Sequence, residues 1–453
     1  MMMYWEKDVE TMDRSALEAV QLRRLNETLK QAGRSAFYGK RFLGGARPAD
    51  AGIPAGASAG DGPPELSNLE QLSQLPFTTK DDLRNAFPYG FLTVDLQEVI
   101  RLHSSSGTTG NPTVVFHTAG DIDQWGNLIA RCMYTTGVRK RDVFQNMMGY
   151  GLFTGGLGFH YGAEKLGVMT IPIGPGNSKR QIWFLKHLKA TVVHILPSYA
   201  LRLYSFFEEL EVDPKKDLHL RIAFIGAEPH SEEIRKKIEE LYGIKVYNSY
   251  GLSEMCGPGV AFECERQEGL HIWEDHFYPE IIDPVSGKVL PDGEQGELVL
   301  TTLTREAMPL IRYRTRDLTR FQPGECPCGR THRRIDRITG RSDDMLIING
   351  VNIFPIQIEK TLMAIPEIGR NYLIEIHKEN FMDKLSVKVE INEEVFHGTL
   401  AELEKLQSKA AAALRAELGV TPNVRLAEPS SLPVSEGKAR RVYDYREQEE
   451  GGV

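Results

Sequence analysis

Between residues 97 and 300, short β-branched runs alternate with segments whose apolar positions recur at helical spacing. Val192-Val193-His194-Ile195-Leu196 and Arg221-Ile222-Ala223-Phe224-Ile225-Gly226 read as buried strands. The segment His230 to Tyr242, with Ile234, Ile238 and Leu241 spaced among charges, reads as the helix after the second strand. Such alternation predicts an α/β core around a largely parallel sheet. Ahead of it, Leu17, Val20, Leu25 and Leu29 predict a helical lead-in over 5–37. Gly44 through Pro64 is rich in Gly, Ala and Pro and reads as an exposed loop without chemistry. Turn signals at Val285–Lys288 and Pro291–Gly293 predict β-hairpins over 277–320. After Asp343 the pattern changes: Leu373–Ile376 and Leu385–Ile391 read as strands, and Leu400–Leu418 as a helix. A domain of residues 1–342 followed by a small α+β domain of 343–453 is therefore expected, with no internal repeat.

Composition narrows the partners. With 453 residues, 41% hydrophobic and 26% charged, the chain matches a soluble protein of two or three domains. Its formal net charge of −8 provides no basic field for nucleic acid or an anionic membrane. No apolar run approaches the roughly 18 residues of a membrane helix. The N-terminus turns acidic at once, unlike a secretory signal. Five cysteines argue against a disulfide framework. A cytoplasmic protein with small-molecule partners is the expectation.

Two clusters carry candidate chemistry. Ser104-Ser105-Ser106-Gly107-Thr108-Thr109-Gly110-Asn111-Pro112-Thr113 packs hydroxyls and glycines into one short run. Glycines let backbone NH groups converge and hydroxyls add donors, which makes a phosphate cradle. It lacks the Gly-Lys-Ser/Thr of a P-loop ATPase, and alone it reads more readily as an ordinary Ser/Gly-rich turn. Cys264, His271, Cys326 and Cys328 supply three thiols and an imidazole, the inventory of a structural zinc site. Gly324 and Gly329 flank the tight Cys-x-Cys pair. His332 and His276 are rival ligands, and free thiols are the alternative. Cys132 and Cys256 read as buried small residues.

The run at 104–113 resembles the phosphate-binding loop of the adenylate-forming superfamily: acyl-CoA synthetases, peptide-synthetase adenylation domains and luciferases. Companion motifs follow in order. Tyr247-Asn248-Ser249-Tyr250-Gly251-Leu252-Ser253-Glu254 resembles the aromatic-Gly-x-Thr-Glu motif. That resemblance implies Tyr250 near adenine, Ser253 at the α-phosphate, Glu254 on Mg²⁺, and Asn248 and Gly251 beside the nucleotide. Gly226-Ala227-Glu228-Pro229 would line the adenine site. Tyr313-Arg314-Thr315-Arg316-Asp317 resembles Tyr-x-Thr-Gly-Asp, implying Asp317 on the ribose hydroxyls, with Arg316 in place of the common Gly. Gly340 to Ile353 resembles the hinge, implying Arg341 at ribose and phosphate and Asp343 as pivot. Ser435 to Arg440 resembles the C-terminal loop whose lysine, here Lys438, bridges the carboxylate and the α-phosphate. The implied fold is a large N-terminal α/β domain with a β-subdomain, plus a small mobile C-terminal lid.

Within that superfamily the phenylacetate–CoA ligase branch is the nearest resemblance. It rests on Leu75 to Arg84, Tyr150 to Gly158, and Gly340 to Pro355. Tyr150, Phe153 and Gly155 are candidate walls for a planar acid, with ordinary core aromatics the alternative. The resemblance implies that ATP and Mg²⁺ activate a carboxylic acid as an acyl-adenylate and that coenzyme A takes the acyl group. It leaves room for a homodimer, and it does not fix the acid. Another aryl acid, an amine acceptor, or a cofactor adenylated as in a synthetase of methanogens stays open. A nucleotide-sensing protein on a decayed scaffold is the non-enzymatic alternative. Asn111 stands where many members carry Lys, so backbone and hydroxyl donors would do more of the phosphate binding.

Overall fold

The computed structural model describes residues 4–42, 63–104, 111–228, 230–344, 346–349, 351–379, 382–396, 399–433 and 441–446. The expected loop at 44–64 lies almost wholly outside them. The lead-in forms three helices, α1 (Lys7–Glu10), α2 (Arg14–Ala32) and α3 (Ala36–Phe42). Asp13 caps α2 by accepting from Ala16 N, and Leu17, Leu25 and Leu29 are its buried stripe. A short α4 (Lys80–Asn85) opens on a Thr79–Asp82 capping box.

Then comes the α/β core: β1 (Arg101–Ser104), β2 (Val114–His117), α5 (Ala119–Thr135), β3 (Val143–Asn146), α6 (Gly155–Leu166) and β4 (Met169–Ile171). It continues through α7 (Ser178–His187), β5 (Val192–His194), α8 (Pro197–Glu209), β6 (Ile222–Gly226), α9 (Glu232–Tyr242) and β7 (Lys245–Leu252). Next are β8 (Gly257–Glu263), β9 (Leu270–Ile272), β10 (Phe277–Ile282), β11 (Gly296–Thr302), β12 (Tyr313–Thr319), β13 (Arg334–Ile335) and β14 (Gly340–Arg341).

Strands β4, β3, β5, β6 and β7 lie in that order and all pair in parallel. The expected parallel sheet is thus present, but only over 143–252. Beyond β7 the same sheet continues with β8, β9 and β13, all antiparallel. The cause is local: Cys256 and Gly257 have φ of 82° and 97°, and this tight reversal leaves no room for the crossover that parallel pairing needs. Strand β1, which leads into the hydroxyl-rich run, pairs with β2 in a separate antiparallel hairpin. The hairpins expected over 277–320 form a four-stranded sheet in the order β10-β11-β12-β14.

After Asp343 come β15 (Leu346–Ile348), β16 (Val351–Ile353), α10 (Pro355–Met363), β17 (Ile368–Glu379), β18 (Met382–Ile391), α11 (Glu393–Phe396), α12 (Leu400–Leu418), β19 (Asn423–Ala427) and β20 (Val442–Asp444). Both expected strands and the expected helix are there. This part has its own core, in which Ile358, Leu362, Ile374, Val387, Ala410 and Leu414 interlock. Burial there removes apolar surface that no neighbouring element could cover.

Candidate active site

Open α/β sheets bind ligands at the carboxyl ends of their strands. Two of the sequence motifs end there. Strand β6 stops at Gly226, where a Cβ would lie 2.3 Å from the Ser249 carbonyl, so only glycine lets β6 and β7 run this close. The next residue, Ala227, holds φ +64°, a left-handed conformation that turns the chain away from the sheet. Glu228 then accepts from Ser198 N at 2.6 Å.

Strand β7 carries the second motif. The Tyr250 hydroxyl donates to Asp317 Oδ2 at 2.6 Å, and Arg341 Nη1 donates to Asp317 Oδ1 at 3.2 Å. Arg341 also forks onto Asp343, with both bonds at 2.9 Å. Motifs far apart in sequence are thereby joined in the chain Tyr250, Asp317, Arg341, Asp343. Burial, and after it the Asp317 carboxylate, pushes the Tyr250 phenol well above its ordinary range, so it acts as a donor. The β12 backbone explains why Asp317 is aimed here. Pairing with β11 slips between Glu297 and Val299, and Arg316 takes φ +68°. A position of that kind favours glycine.

Glu254 follows β7 in a single 3₁₀ turn and is buried at 5% exposure. Its carboxylate lies 3.7 Å from Lys80 Nζ and faces the Tyr313 hydroxyl. Burial, then Glu254, pushes that phenol well up. Lys80 and Tyr313 fell inside motifs singled out from sequence, yet neither was assigned a role there. Lys80 arrives because Thr78 is stitched to β12: Thr78 N donates to Arg312 O and Arg314 N donates to Thr78 O. Phe77 lies beside Arg312 and Arg314, whose guanidinium carbons are 4.1 and 5.5 Å from its ring centre.

The β1–β2 hairpin delivers Ser104 and Asn111 to either side of the hydroxyl run. Asn111 Nδ2 is 3.5 Å from Arg84 O, on the helix that carries Lys80. Ser104 N donates to Leu152 O at 3.0 Å, which docks the 147–154 segment against the hairpin. Thr154 Oγ1, in turn, lies 3.4 Å from Ser253 Oγ. The candidate acid segment and the candidate phosphate residues therefore share one neighbourhood. Tyr150 is half-buried; Asn146 Nδ2 donates to its hydroxyl at 2.9 Å, and burial pushes the phenol up to about 12. Phe153 is 54% exposed, on the rim of this segment rather than in the core. A Cβ on Gly155 would meet only the Met148 methyl carbon, at 3.4 Å, whereas on Gly156 it would strike Gly149 O at 2.4 Å. Asn248 lies within β7 with its NH donated to Glu263, and Gly251 could not carry a Cβ, which would fall 1.9 Å from Gly257 O. Ser105, Ser106, Gly107, Thr108, Thr109, Gly110, Pro229 and Lys438 lie outside the described residues.

A second site is separate from the first. Cys264, His271, Cys326 and Cys328 are all buried, with their ligand atoms within 4.8 Å of one another. The Cys264 and Cys326 sulfurs are 3.7 Å apart, and Cys328 Sγ is 3.4 Å from His271 Nε2. A tetrahedral zinc with Zn–S of about 2.3 Å and Zn–N of about 2.0 Å would hold two sulfurs roughly 3.8 Å apart and a sulfur and nitrogen roughly 3.5 Å apart. His271 Nδ1 faces the His332 carbonyl at 3.1 Å, which leaves Nε2 as the ligand atom. Gly329 N closes a turn on Cys326 O, with Gly329 at φ +79°. The rivals are engaged elsewhere: His332 takes the Glu274 NH, and His276 pairs with Thr304. Cys132 and Cys256 are buried, as expected.

Comparison with known proteins follows the same outline. The family described as AMP-binding enzyme matches residues 67–303, and the AMP-binding enzyme C-terminal domain matches 350–446. The phenylacetate–coenzyme A ligase of Pseudomonas putida is 46% identical over 97% of this chain and 96% of its own length. That of Escherichia coli strain K12 is 43% identical over 97% of each. A solved 2-hydroxyisobutyryl-CoA ligase bound to 2-HIB-AMP in the postadenylation state is 31% identical and superposes with a TM-score of 0.90, over 99% of this chain and 94% of that one. With 2-HIB-AMP and CoA in the thioesterification state, the same ligase is 32% identical and superposes with a TM-score of 0.70, again over 99% and 94%.

Proposed function

This chain belongs to the phenylacetate–coenzyme A ligase family of AMP-binding enzymes, and from that premise we propose that its substrate is an aryl or arylacetic acid, activated at the ends of β6 and β7. The chain is an ATP-dependent acid–CoA ligase that forms AMP. One observation carries the residue assignment: a carboxylate fit for ribose, Asp317, and a buried carboxylate on the phosphate side, Glu254, flank the loop that ends at Ser253, beside Thr154.

In the first half-reaction a carboxylate oxygen attacks the α-phosphorus of ATP and pyrophosphate leaves. In the second, the CoA thiol attacks the acyl carbon, gives up its proton, and AMP departs. Asp317, which accepts from Tyr250 and Arg341, is placed to accept the ribose hydroxyls as well. The hydroxyl run 104–110 takes the phosphates through backbone NH groups and side chains, and Gly226 to Pro229 with Asn248 and Gly251 borders the adenine. Ser253 faces the α-phosphate, and Lys438 sits between the two anions as they approach, offsetting their repulsion. Glu254 offers one carboxylate to a Mg²⁺ that would otherwise be held by phosphates and water, which suits that ion's habits. When bound, Mg²⁺ offsets phosphate charge. Tyr150, Phe153 and Gly155 border the acid. Zinc held by Cys264, His271, Cys326 and Cys328 is structural, since four protein ligands leave no open position.

The boundary at 342/343 divides a body from a lid. The better match to the postadenylation arrangement supports reading this conformation as the one after adenylate formation, with Asp343 as the pivot toward thioester formation. Among the described residues no helix is long and apolar enough to cross a membrane, and the cytoplasm is the compartment we assign.

The test is pyrophosphate release across arylacetic, benzoic and short aliphatic acids, with products identified with and without CoA. Arylacetic acids should turn over fastest and yield thioesters only with CoA. A clear preference for an aliphatic acid would overturn the acid assignment.

A further inference from the structure

Helix α10 of the C-terminal part packs on α9 of the core, and their contact contains a buried carboxylate. Glu359 is 7% exposed. One of its oxygens accepts from the Ser231 backbone NH at 2.9 Å, across the contact, and the other accepts from the Tyr372 hydroxyl at 2.9 Å, within the C-terminal part. Ser231 is the N-cap of α9, its hydroxyl accepting from Ile234 N, and it follows directly on the segment 226–230. On the other side, the Arg441 guanidinium lies over the Tyr372 ring at 4.6 Å, and Arg441 O accepts from Ile374 N. Arg441 is the first described residue after the segment 434–440. The chain Ser231, Glu359, Tyr372, Arg441 therefore runs from the edge of the proposed nucleotide site to the root of the segment that carries Lys438. A cavity of about 480 Å³ opens beside it, lined by Glu228, His230, Asp343 and Arg446 among others.

We propose that Glu359 is the latch that holds the C-terminal part in the arrangement seen here, the one on the adenylation side of its rotation and before the turn toward thioester formation, a positioning residue that acts through Ser231 on one side and through Tyr372 and Arg441 on the other. This rests on the two-half-reaction reading above. Its strength suits a device that must let go. A hydrogen bond to a charged group favours closure, but burial of the carboxylate opposes it, and opening returns Glu359 to water. Burial accordingly pushes the Glu359 carboxyl above its ordinary value, while the Tyr372 and Ser231 donors pull it back. Of these two Glu359 bonds, rotation of the lid breaks the one to Ser231, because Tyr372 travels with Glu359.

The experiment uses the full chain with phenylacetate. Adenylate formation is read as acid-dependent ATP–pyrophosphate exchange, and thioester formation is read from supplied phenylacetyl-adenylate and CoA. Glu359→Ala should slow exchange about tenfold or more, the worth of one buried charge-assisted bond, and leave thioester formation unchanged or faster. Glu359→Gln, which keeps an acceptor for Ser231 N, should recover most of the exchange. Ser231→Pro removes the same donor from the opposite side and should give the same split, so the proposal stays testable if one variant fails to fold. Equal loss in both half-reactions, or no change in either, would overturn the latch. If the unaltered protein made no thioester at all, the ligase reading would fail instead.

Discussion

His194, at the end of β5, is 3% exposed, lies with its ring centre 3.8 Å from that of Phe159, and has a buried Nδ1 with no partner among the described residues. Burial alone pushes its imidazole down to about 3. The unfolded chain takes up a proton near pH 6.5, and the folded chain does so only near 3. Between those values the unfolded state binds more protons, so stability present above pH 6.5 drains away as pH falls, by about 1.4 kcal/mol per unit. Urea unfolding at pH 7 and pH 5 checks this: His194→Leu should lose that part of the slope, and an identical slope in both proteins would contradict it. At this scale the sequence conveyed residue types better than directions. Asp317 and Glu254 were legible because each sits at a fixed place in a motif. That Tyr250 spends its hydroxyl on Asp317, or that Lys80 reaches Glu254, depends on how β12 draws Thr78 alongside it, which no local pattern encodes. Arg316 is instructive here: its φ of +68° explains the preference for glycine at that position, and an arginine stands there at a cost of about 1–2 kcal/mol.

Among elements, α12 and the parallel strands were readable because each has one strong periodicity and clear ends. Thr399 caps α12 through a capping box, and Gly419 at φ +72° ends it. The antiparallel flank β8, β9 and β13 was not readable, since a buried strand looks apolar whichever way its neighbour runs. Its direction is set by the reversal at Cys256 and Gly257. The Cys/His cluster sits on this flank. Cys264 follows β8, His271 lies in β9, and Cys326 and Cys328 sit in the loop before β13, so zinc would tie one edge of the sheet together. The protein as purified should carry zinc near one equivalent per chain. Cys328→Ser should lose most of it and lower the melting temperature by several degrees, because a bound metal stabilises only the folded state. Full stability at no zinc content would remove the site. The nearby N-terminal lead-in is tied down by the same region: the Tyr4 hydroxyl donates to Cys328 O, and Arg330 donates to Glu10 at 2.6 Å.

For the molecule as a whole, the sequence revealed a large body and a small C-terminal part because the pattern changes after Asp343; among the described residues their buried clusters are distinct, with Met363 of α10 packed against both. It did not reveal how the two meet. Glu359 and Ser231 were unremarkable in the pattern, and only the packing of α10 on α9 gives them a shared role. The proposed chemistry rests on activation of the acid at the α-phosphorus. Its most direct measurement supplies a carboxylic acid carrying heavy oxygen in its carboxylate, with ATP and CoA, and finds where the label goes by mass spectrometry. Attack at the α-phosphorus predicts one labelled oxygen in the AMP and none in the pyrophosphate. Label in orthophosphate alongside ADP, the signature of an acyl phosphate, would contradict it.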